Sequence, residues 1–259
     1  MDTKTSILSV KNLSISIQNT PVVSGVSFDV HEGELFVIMG ANGSGKSSLL
    51  QAIMGNPLYQ VTGGSAHMGD VDLLALTPEK RSLAGIFLAF QYPPAMSGIP
   101  FGNFIRLAAN EQQTQIGGSP FAPKAFFPIV QNALKRVELD TTFIARSLHE
   151  GSSGGEKKRL EVAQMSILQP RIALLDEIDS GVDVDGLRSL TEEIARLQKE
   201  NGMTVILVTH NTRMFQYLTP DRIAIMSKGT LVKIGDASLA KRIEQDGYEG
   251  FLGEPSNVQ

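Results

Sequence analysis

The sequence predicts an α/β fold with a mixed central sheet, an antiparallel β subdomain and an inserted helical lobe. Residues 7–17 alternate apolar and polar side chains as a half-buried strand pair does, and residues 22–30 repeat the pattern. Leu35–Met39 is a wholly apolar run, typical of a strand covered on both faces, and a glycine-rich turn and a helix-like stretch, Lys46–Met54, follow it. Residues 92–150 are instead rich in Pro, Phe, Ala and Gln, which indicates the inserted lobe.

The other elements follow from the same periodicities. Helical spacing predicts helices at 104–113, 129–137 and 187–200, with a break at 117–120 that contains Gly and Pro. Short apolar runs predict strands at 172–175, 204–208, 223–226 and 231–234, of which the last two are joined by a hairpin-like turn.

Length and composition fit a single domain. The chain has 259 residues, of which 42% are hydrophobic and 19% are charged, and this is enough apolar material for one full core. We expect one domain over residues 1–259, in which residues 1–91 and 166–259 form the core and residues 92–165 form the lobe.

Charge and cysteine content exclude several classes of protein. The formal net charge of -4 disfavours a dedicated nucleic-acid binder. The absence of cysteine excludes disulfides and thiolate ligation of an iron–sulfur cluster. No apolar run approaches the roughly 20 residues of a membrane span, and the first six residues lack the layout of a signal peptide. We therefore expect a cytoplasmic protein with no direct membrane insertion and no nucleic-acid partner.

The strongest motif lies between the apolar run and the first helix, and it matches G-x-x-x-x-G-K-[ST]. Backbone N–H groups in such a turn form a nest for phosphate, and the helix that follows points its positive dipole end at the same anion. The motif predicts ATP binding, with Lys46 on the β- and γ-phosphates and Ser47 as a ligand of Mg²⁺. The predicted nucleotide-binding residues of this turn are Gly40, Ala41, Asn42, Gly43, Ser44, Gly45, Lys46, Ser47 and Ser48.

The second motif is acidic, and it directly follows the predicted strand at 172–175. Asp176 and Glu177 follow that strand, and the carboxyl edge of an open α/β sheet is where its ligands bind. Asp176 is predicted to hold Mg²⁺, mainly through water, and Glu177 to polarise a water in line with the γ-phosphate. The alternative is an ordinary helix cap or surface acid.

A third element is the turn that precedes an apolar helix near residue 160. Ser153, Gly154 and Gly155 open this helix, and an N–H-rich helix start suits an anion. The alternative interpretation is a capping box, in which Ser153 is the N-cap and Glu156 its partner.

Together these elements resemble the P-loop nucleotide-binding domain of the ABC ATPases. The turn at 152–156 is similar to their Leu-Ser-Gly-Gly-Gln signature, which closes over ATP held by a second subunit, so the resemblance implies a transient ATP-dependent homodimer. Gln91 resembles the glutamine that contacts Mg²⁺ and the γ-phosphate, and His210 resembles the switch histidine; both are implied to be catalytic with Glu177. Ile17 matches the position at which many members stack an aromatic residue on adenine.

Three stretches, 87–93, 154–159 and 176–183, resemble more narrowly the SufC family, the ATPases of SUF iron–sulfur cluster assembly. This resemblance implies the scaffold subunits SufB and SufD as partners, whose shape would change on ATP-driven dimerisation. The alternative is the ATPase subunit of an ABC membrane transporter, with the same core chemistry and a different docking surface near residues 91–110. A nucleic-acid-linked ABC ATPase is disfavoured, because the chain has neither heptad repeats nor a basic tract.

Two lysines in the first turns of the helix that follows Ser153 suggest a restraint on the predicted catalytic acid, Glu177. Cations are disfavoured at a helix N-terminus, yet Lys157 and Lys158 lie there. One interpretation is that both side chains extend into solvent. Our hypothesis is that Lys157 or Lys158 pairs with Glu177 in the free subunit.

Overall fold

The computed structural model describes residues 5–251 of the chain, so the expectation drawn from the first six residues lies largely outside this range. The first part combines long antiparallel strands with the start of the central sheet. In chain order its elements are β1 (Ser6–Ile17), β2 (Thr20–His31), β3 (Leu35–Met39), α1 (Lys46–Met54), β4 (Gln60–Met68), β5 (Val71–Asp72), α2 (Pro78–Leu83) and β6 (Ile86–Ala89).

The antiparallel sheet has the strand order β2-β1-β4-β5. The predicted strand pair at 7–17 is instead the single strand β1, in which register shifts between Val10 and Leu13 interrupt the pairing with β2. Asn12 takes a left-handed conformation at this irregularity, with φ 49°. Strand β4 was not predicted, because its first five residues are exposed and include two glycines.

The lobe contains three long helices and a short β ribbon. Its elements are β7 (Met96–Pro100), α3 (Phe101–Gln115), α4 (Pro123–Arg136), β8 (Ser147–Leu148) and α5 (Gly154–Leu168). Helices α3 and α4 confirm the helical spacing of this region. The sequence did not indicate β7 and β8, which pair only with each other.

The remaining elements complete the central sheet. They are β9 (Ile172–Asp176), α6 (Val184–Asn201), β10 (Thr204–Val208), β11 (Arg222–Ser227), β12 (Thr230–Gly235) and α7 (Ser238–Asp246). The sheet has the order β12-β11-β3-β10-β9-β6, and its strands are parallel except for the antiparallel pair β11–β12. The predicted mixed sheet is therefore present.

The predicted boundary between lobe and core, after residue 165, falls inside α5. This helix is continuous to Leu168 and packs against both α4 and α6. The residue composition changes near residue 165, but the backbone hydrogen bonds of α5 continue past that point. The helix therefore joins the lobe to the core.

Two hydrophobic cores lie on opposite faces of the central sheet. Leu35, Val37 and Met39 of β3 belong to the core shared with the lobe, whereas Phe36 and Ile38 belong to the core shared with α1 and the antiparallel sheet. This alternation follows from the period of two in a strand. None of the helices within residues 5–251 combines the length and apolar character that a membrane span requires.

Candidate nucleotide site

The turn after β3 wraps around the ammonium group of Lys46. Gly45 has φ 102°, a left-handed conformation that glycine adopts without steric cost. Lys46 Nζ donates hydrogen bonds to the carbonyl oxygens of Gly40 at 2.8 Å and Ala41 at 3.0 Å. Burial lowers the pKa of Lys46, and the nearby carboxylates of Glu177 and Asp176 oppose this. The turn thus places a buried positive charge beside the N-terminus of α1. Both the charge and the helix N-terminus favour a bound anion.

Ser47 and Asp176 meet beside this turn. Ser47 Oγ donates to Asp176 Oδ1 at 2.8 Å, and Asp176 is only 1% exposed. Burial raises the pKa of Asp176, and the charge of Glu177 raises it further. A hydroxyl and a carboxylate in contact are the oxygen donors that Mg²⁺ takes alongside phosphate and water. These two residues therefore fit a magnesium ion.

Glu177 occupies the centre of the site. Its backbone is left-handed, with φ 46°, which is uncommon for a residue other than glycine. Gln91 Nε2 donates to Glu177 Oε2 at 2.6 Å, and His210 Nδ1 lies 3.2 Å from Glu177 Oε1. The strand ends of β6, β9 and β10 thus bring together the three predicted catalytic residues.

A cavity of about 630 Å³ lies beside the turn after β3, and Asp176 and His210 do not line it. Its walls include residues 42–43 and 45–48 of the turn, together with Gln91 and Glu177. Five further wall residues were missed by sequence reasoning, because no local motif marks them: Pro21, Val22, Ser24, Lys228 and Gly229.

Ile17 does not line this cavity. It is half-buried at the end of β1, opposite Thr20, and the apolar wall nearest to it is formed by Pro21 and Val22 instead. Pro21 and Val22, and not Ile17, therefore contribute to the apolar part of the cavity wall.

The signature-like turn lies at the start of α5. Ser153 Oγ accepts a hydrogen bond from the backbone N–H of Glu156, and Glu156 Oε2 accepts one from the N–H of Ser153. The capping box is therefore present. Ser153 and Gly154 are exposed, and neither they nor Gly155 line the cavity around Lys46. Within the described part of one chain, the turn and the cavity are separate surfaces.

The hypothesis that Lys157 or Lys158 pairs with Glu177 is wrong about the contact. Lys158 Nζ donates to the carbonyl oxygens of Phe90 at 2.8 Å and Asp176 at 3.4 Å. Within residues 5–251, Glu177 forms no ion pair with either lysine. The Lys158 ammonium contacts backbone carbonyls at two strand ends. The charge of Glu177 acts on the pKa of Lys158 without a direct contact.

Comparisons of the sequence show which proteins the chain resembles. The profile of the ABC transporter family matches residues 23–180. The chain is 45% identical over 257 residues to the probable ATP-dependent transporter ycf16 of Cyanophora paradoxa, covering 99% of this chain and 98% of the relative. It is 39% identical over 249 residues to vegetative protein 296 of Bacillus subtilis, covering 96% of this chain and 94% of the relative.

Solved structures share the fold. The dimeric structure of the bacterial ABC transporter cassette MJ0796 superimposes with a TM-score of 0.77 at 21% identity, over 89% of this chain and 98% of that one. A dimeric post-hydrolysis state of the same cassette, bound to ADP and Pi, gives the same TM-score at 22% identity, again over 89% and 98%.

Proposed function

This chain belongs to the ABC transporter family, and on that premise we propose that it is the ATPase subunit of a SUF-type iron–sulfur cluster assembly complex. As a member of the family it is an ATPase that binds ATP with Mg²⁺. The contacts of Gln91 and His210 with the carboxylate of Glu177 support the catalytic assignment. The stretches 87–93 and 176–183, which contain two of these residues, also carry the resemblance to SUF ATPases.

The triphosphate lies in the turn between β3 and α1. Lys46 Nζ donates hydrogen bonds to the carbonyl oxygens of Gly40 and Ala41. When ATP binds, the ammonium donates to the β- and γ-phosphate oxygens instead. The base and ribose then lie against Pro21 and Val22, with Lys228 at the rim. The apolar wall supports stacking of a base without selecting strongly between purines.

Ser47 and Asp176 are the residues that hold magnesium. Their hydrogen bond brings the serine hydroxyl to 2.8 Å from the carboxylate, so the two side chains would hold Mg²⁺ together, Ser47 through its hydroxyl oxygen and Asp176 mainly through water. Bound Mg²⁺ supplies charge neutralisation on the phosphate oxygens. Gln91, which contacts Glu177 in the free chain, would join these two residues in holding Mg²⁺ in the nucleotide complex.

Glu177 acts as the general base. A water oxygen attacks the γ-phosphorus, Glu177 takes its proton, and the bond to the β-phosphate oxygen breaks to give ADP and phosphate. In the free chain Gln91 and His210 occupy both carboxylate oxygens of Glu177. Each oxygen keeps a second lone pair, and this lone pair is where the proton from water would be accepted.

The exposed turn at Ser153 contacts the ATP of a second subunit. Ser153 and Gly154 lie on the surface, outside their own cavity, and the helix N-terminus of α5 presents N–H groups there. A head-to-tail pair related by a two-fold axis would place each turn over the sister nucleotide.

The catalytic assignment is tested by Glu177→Gln. We expect ATP binding to persist while kcat falls by about 10²–10⁴-fold, because the amide cannot accept the proton. With ATP, size-exclusion chromatography should then show a trapped dimer. Glu192→Gln, an exposed acid on α6, serves as the control with normal turnover. Normal hydrolysis by Glu177→Gln would remove Glu177 from the role of base.

The partner assignment is tested by capture of the tagged chain from its native lysate. SUF scaffold subunits in the eluate support the assembly function. Recovery of a multi-span permease instead supports the second candidate, an ABC transporter subunit, which the name of the relative from Cyanophora paradoxa favours. The Glu177→Gln result is the same in both cases, so catalysis and partner choice are tested separately.

A further inference from the structure

A cluster of polar side chains is buried behind the catalytic site, between α5 and the end of β6. Glu161, Lys158, His149 and Gln164 belong to it, and each is 3–5% exposed. Such groups are expensive to bury unless their hydrogen bonds are made. Of the four, only Lys158 was singled out in the sequence, and no step proposed above uses the other three.

Phe90 is held from both sides by this cluster. Its backbone N–H donates to Glu161 Oε2 at 3.2 Å, and its carbonyl oxygen accepts from Lys158 Nζ at 2.8 Å. Lys158 and Glu161 are three residues apart on α5, so they lie on the same face of that helix. The two peptide groups that flank Phe90 are therefore fixed to α5 by an acid and a base.

The second oxygen of Glu161 is anchored as well. His149 Nε2 lies 3.0 Å from Glu161 Oε1, and Gln164 Nε2 donates to the same oxygen at 2.9 Å. Burial lowers the pKa of Lys158 to about 8, and the charge of Glu161 is the largest influence that opposes this. Glu161 is thus held in one rotamer with both carboxylate oxygens engaged.

The residue after Phe90 is Gln91, whose amide contacts the carboxylate of Glu177 at 2.6 Å. We propose that Glu161 is a positioning residue for ATP hydrolysis, which fixes Gln91 at Glu177 by holding the Phe90 peptide against α5. This rests on the proposed function of Gln91 and Glu177. An apolar side chain would pack this interior at lower cost, so a carboxylate here needs a reason other than stability, and its contact with Phe90 supplies one.

Helix α5 is capped by Ser153, which belongs to the turn proposed to meet the sister subunit. Because Glu161 joins that helix to residue 90, a displacement of the turn is carried to Gln91 without passing through the nucleotide. The position of Gln91 therefore depends on the orientation of α5 as well as on ATP.

The first test is Glu161→Gln, which preserves volume and removes the charge and one acceptor. We expect kcat for ATP hydrolysis to fall about tenfold, with KM for ATP within about twofold, since the phosphate turn is untouched. The matched control is Glu193→Gln, another acid that is 3% exposed but bonds Ser166 and Arg196 of α5 and α6. Its kcat should match the wild type; an equal loss in both variants would mean that burial alone matters and would overturn the role of Glu161.

A double-mutant cycle separates positioning from general damage. If Glu161 acts through Gln91, then Glu161→Gln should lower kcat little or not at all in a Gln91→Ala background. Effects that multiply independently would contradict the role. Should Gln91→Ala itself leave kcat unchanged, the proposed function of Gln91 fails, which is a different result from a failure of Glu161.

Hydrogen exchange supplies a readout that does not depend on activity. The Phe90 amide should be protected in the wild type and should exchange at least about tenfold faster in Glu161→Gln, because its buried acceptor is weakened. Unchanged protection would overturn the contact. If Glu161→Gln does not fold, His149→Ala removes one anchor of the carboxylate and leaves Glu161 in place. It should give a smaller loss of kcat that again vanishes with Gln91→Ala; a persistent loss would count against the role.

Discussion

At the residue scale, Glu177 is the most constrained group of the site. A left-handed backbone costs a residue with a side chain about 1–3 kcal/mol and persists only where its surroundings enforce it. Here the N–H of Glu177 donates to the Val208 carbonyl at 2.9 Å, and its side chain is held by Gln91 and His210. With this backbone conformation the carboxylate of Glu177 lines the cavity just after the end of β9.

Lys228 gives a prediction about the nucleotide base. It is exposed at the tip of the β11–β12 hairpin and lines the cavity together with Pro21 and Val22. Lys228→Ala should weaken ATP binding about three- to fivefold, as expected for an exposed charged contact. Calorimetric titration should show unchanged affinity for inorganic triphosphate, which has no base or ribose.

Two further variants sharpen this result. Lys228→Arg should retain ATP affinity because it keeps a donor at the rim, and Lys199→Ala, an exposed lysine on α6, should behave as wild type. An equal loss of ATP and triphosphate affinity in Lys228→Ala would show that the lysine acts on phosphate and not at the base end.

At the scale of elements, the phosphate turn is supported by a hairpin that is distant in sequence. The N–H of Gly229, between β11 and β12, donates to the Ser44 carbonyl at 2.9 Å, and its own carbonyl accepts from Ser24 of β2. The β11–β12 hairpin thus links the phosphate turn to β2 through backbone hydrogen bonds. The shape of the turn also depends on close backbone contact with β11.

Gly40→Ala tests this contact. A Cβ at Gly40 would lie 2.2 Å from the backbone oxygen of Met226 on β11, so turn or strand must move. We expect the free energy of unfolding to fall by about 1–3 kcal/mol, together with a loss of ATP affinity, measured by denaturant titration and nucleotide binding. Gly63→Ala is the control, because nothing lies within 4 Å of its Cβ. Wild-type stability in Gly40→Ala would show that the contact is not tight.

At the scale of the whole molecule, the site lies at one edge of the sheet that separates the two cores. Residues of β9 alternate between these cores, Leu174 in one and Leu175 in the other, and the strand then ends in Asp176. Asp176, Glu177 and the ammonium of Lys158 are buried near the end of this strand. Burying their charges lowers the free energy of unfolding.

That cost makes stability depend on pH. The pKa of Lys158 falls from 10.5 to about 8 on folding, chiefly through burial. Between these values the unfolded chain binds more protons than the folded one, so stability from this group rises as pH rises from about 8 to about 10.5. The total gain is about 3 kcal/mol at most. Relative to Lys158→Met, the free energy of unfolding of the wild type should increase over this window.

Lys157→Met, one residue earlier on α5, is the matched control and should keep the pH dependence of the wild type. Denaturant unfolding at several pH values measures all three proteins. Parallel curves for the wild type and Lys158→Met would show that the lysine is not forced toward its neutral form by burial.

Contacts near in sequence were predictable, and contacts between distant strand ends were not. The phosphate turn, the buried run Leu35–Met39 and the capping box at Ser153 depend on neighbouring residues, so periodicity and spacing determined them. The hydrogen bonds that define the site join residues far apart, 86 positions between Gln91 and Glu177 and 71 between Phe90 and Glu161. Lys158 was assigned the wrong partner for this reason: a helix position fixes the direction of a side chain, but only the packing of α5 against β6 and β9 decides which acceptor it meets.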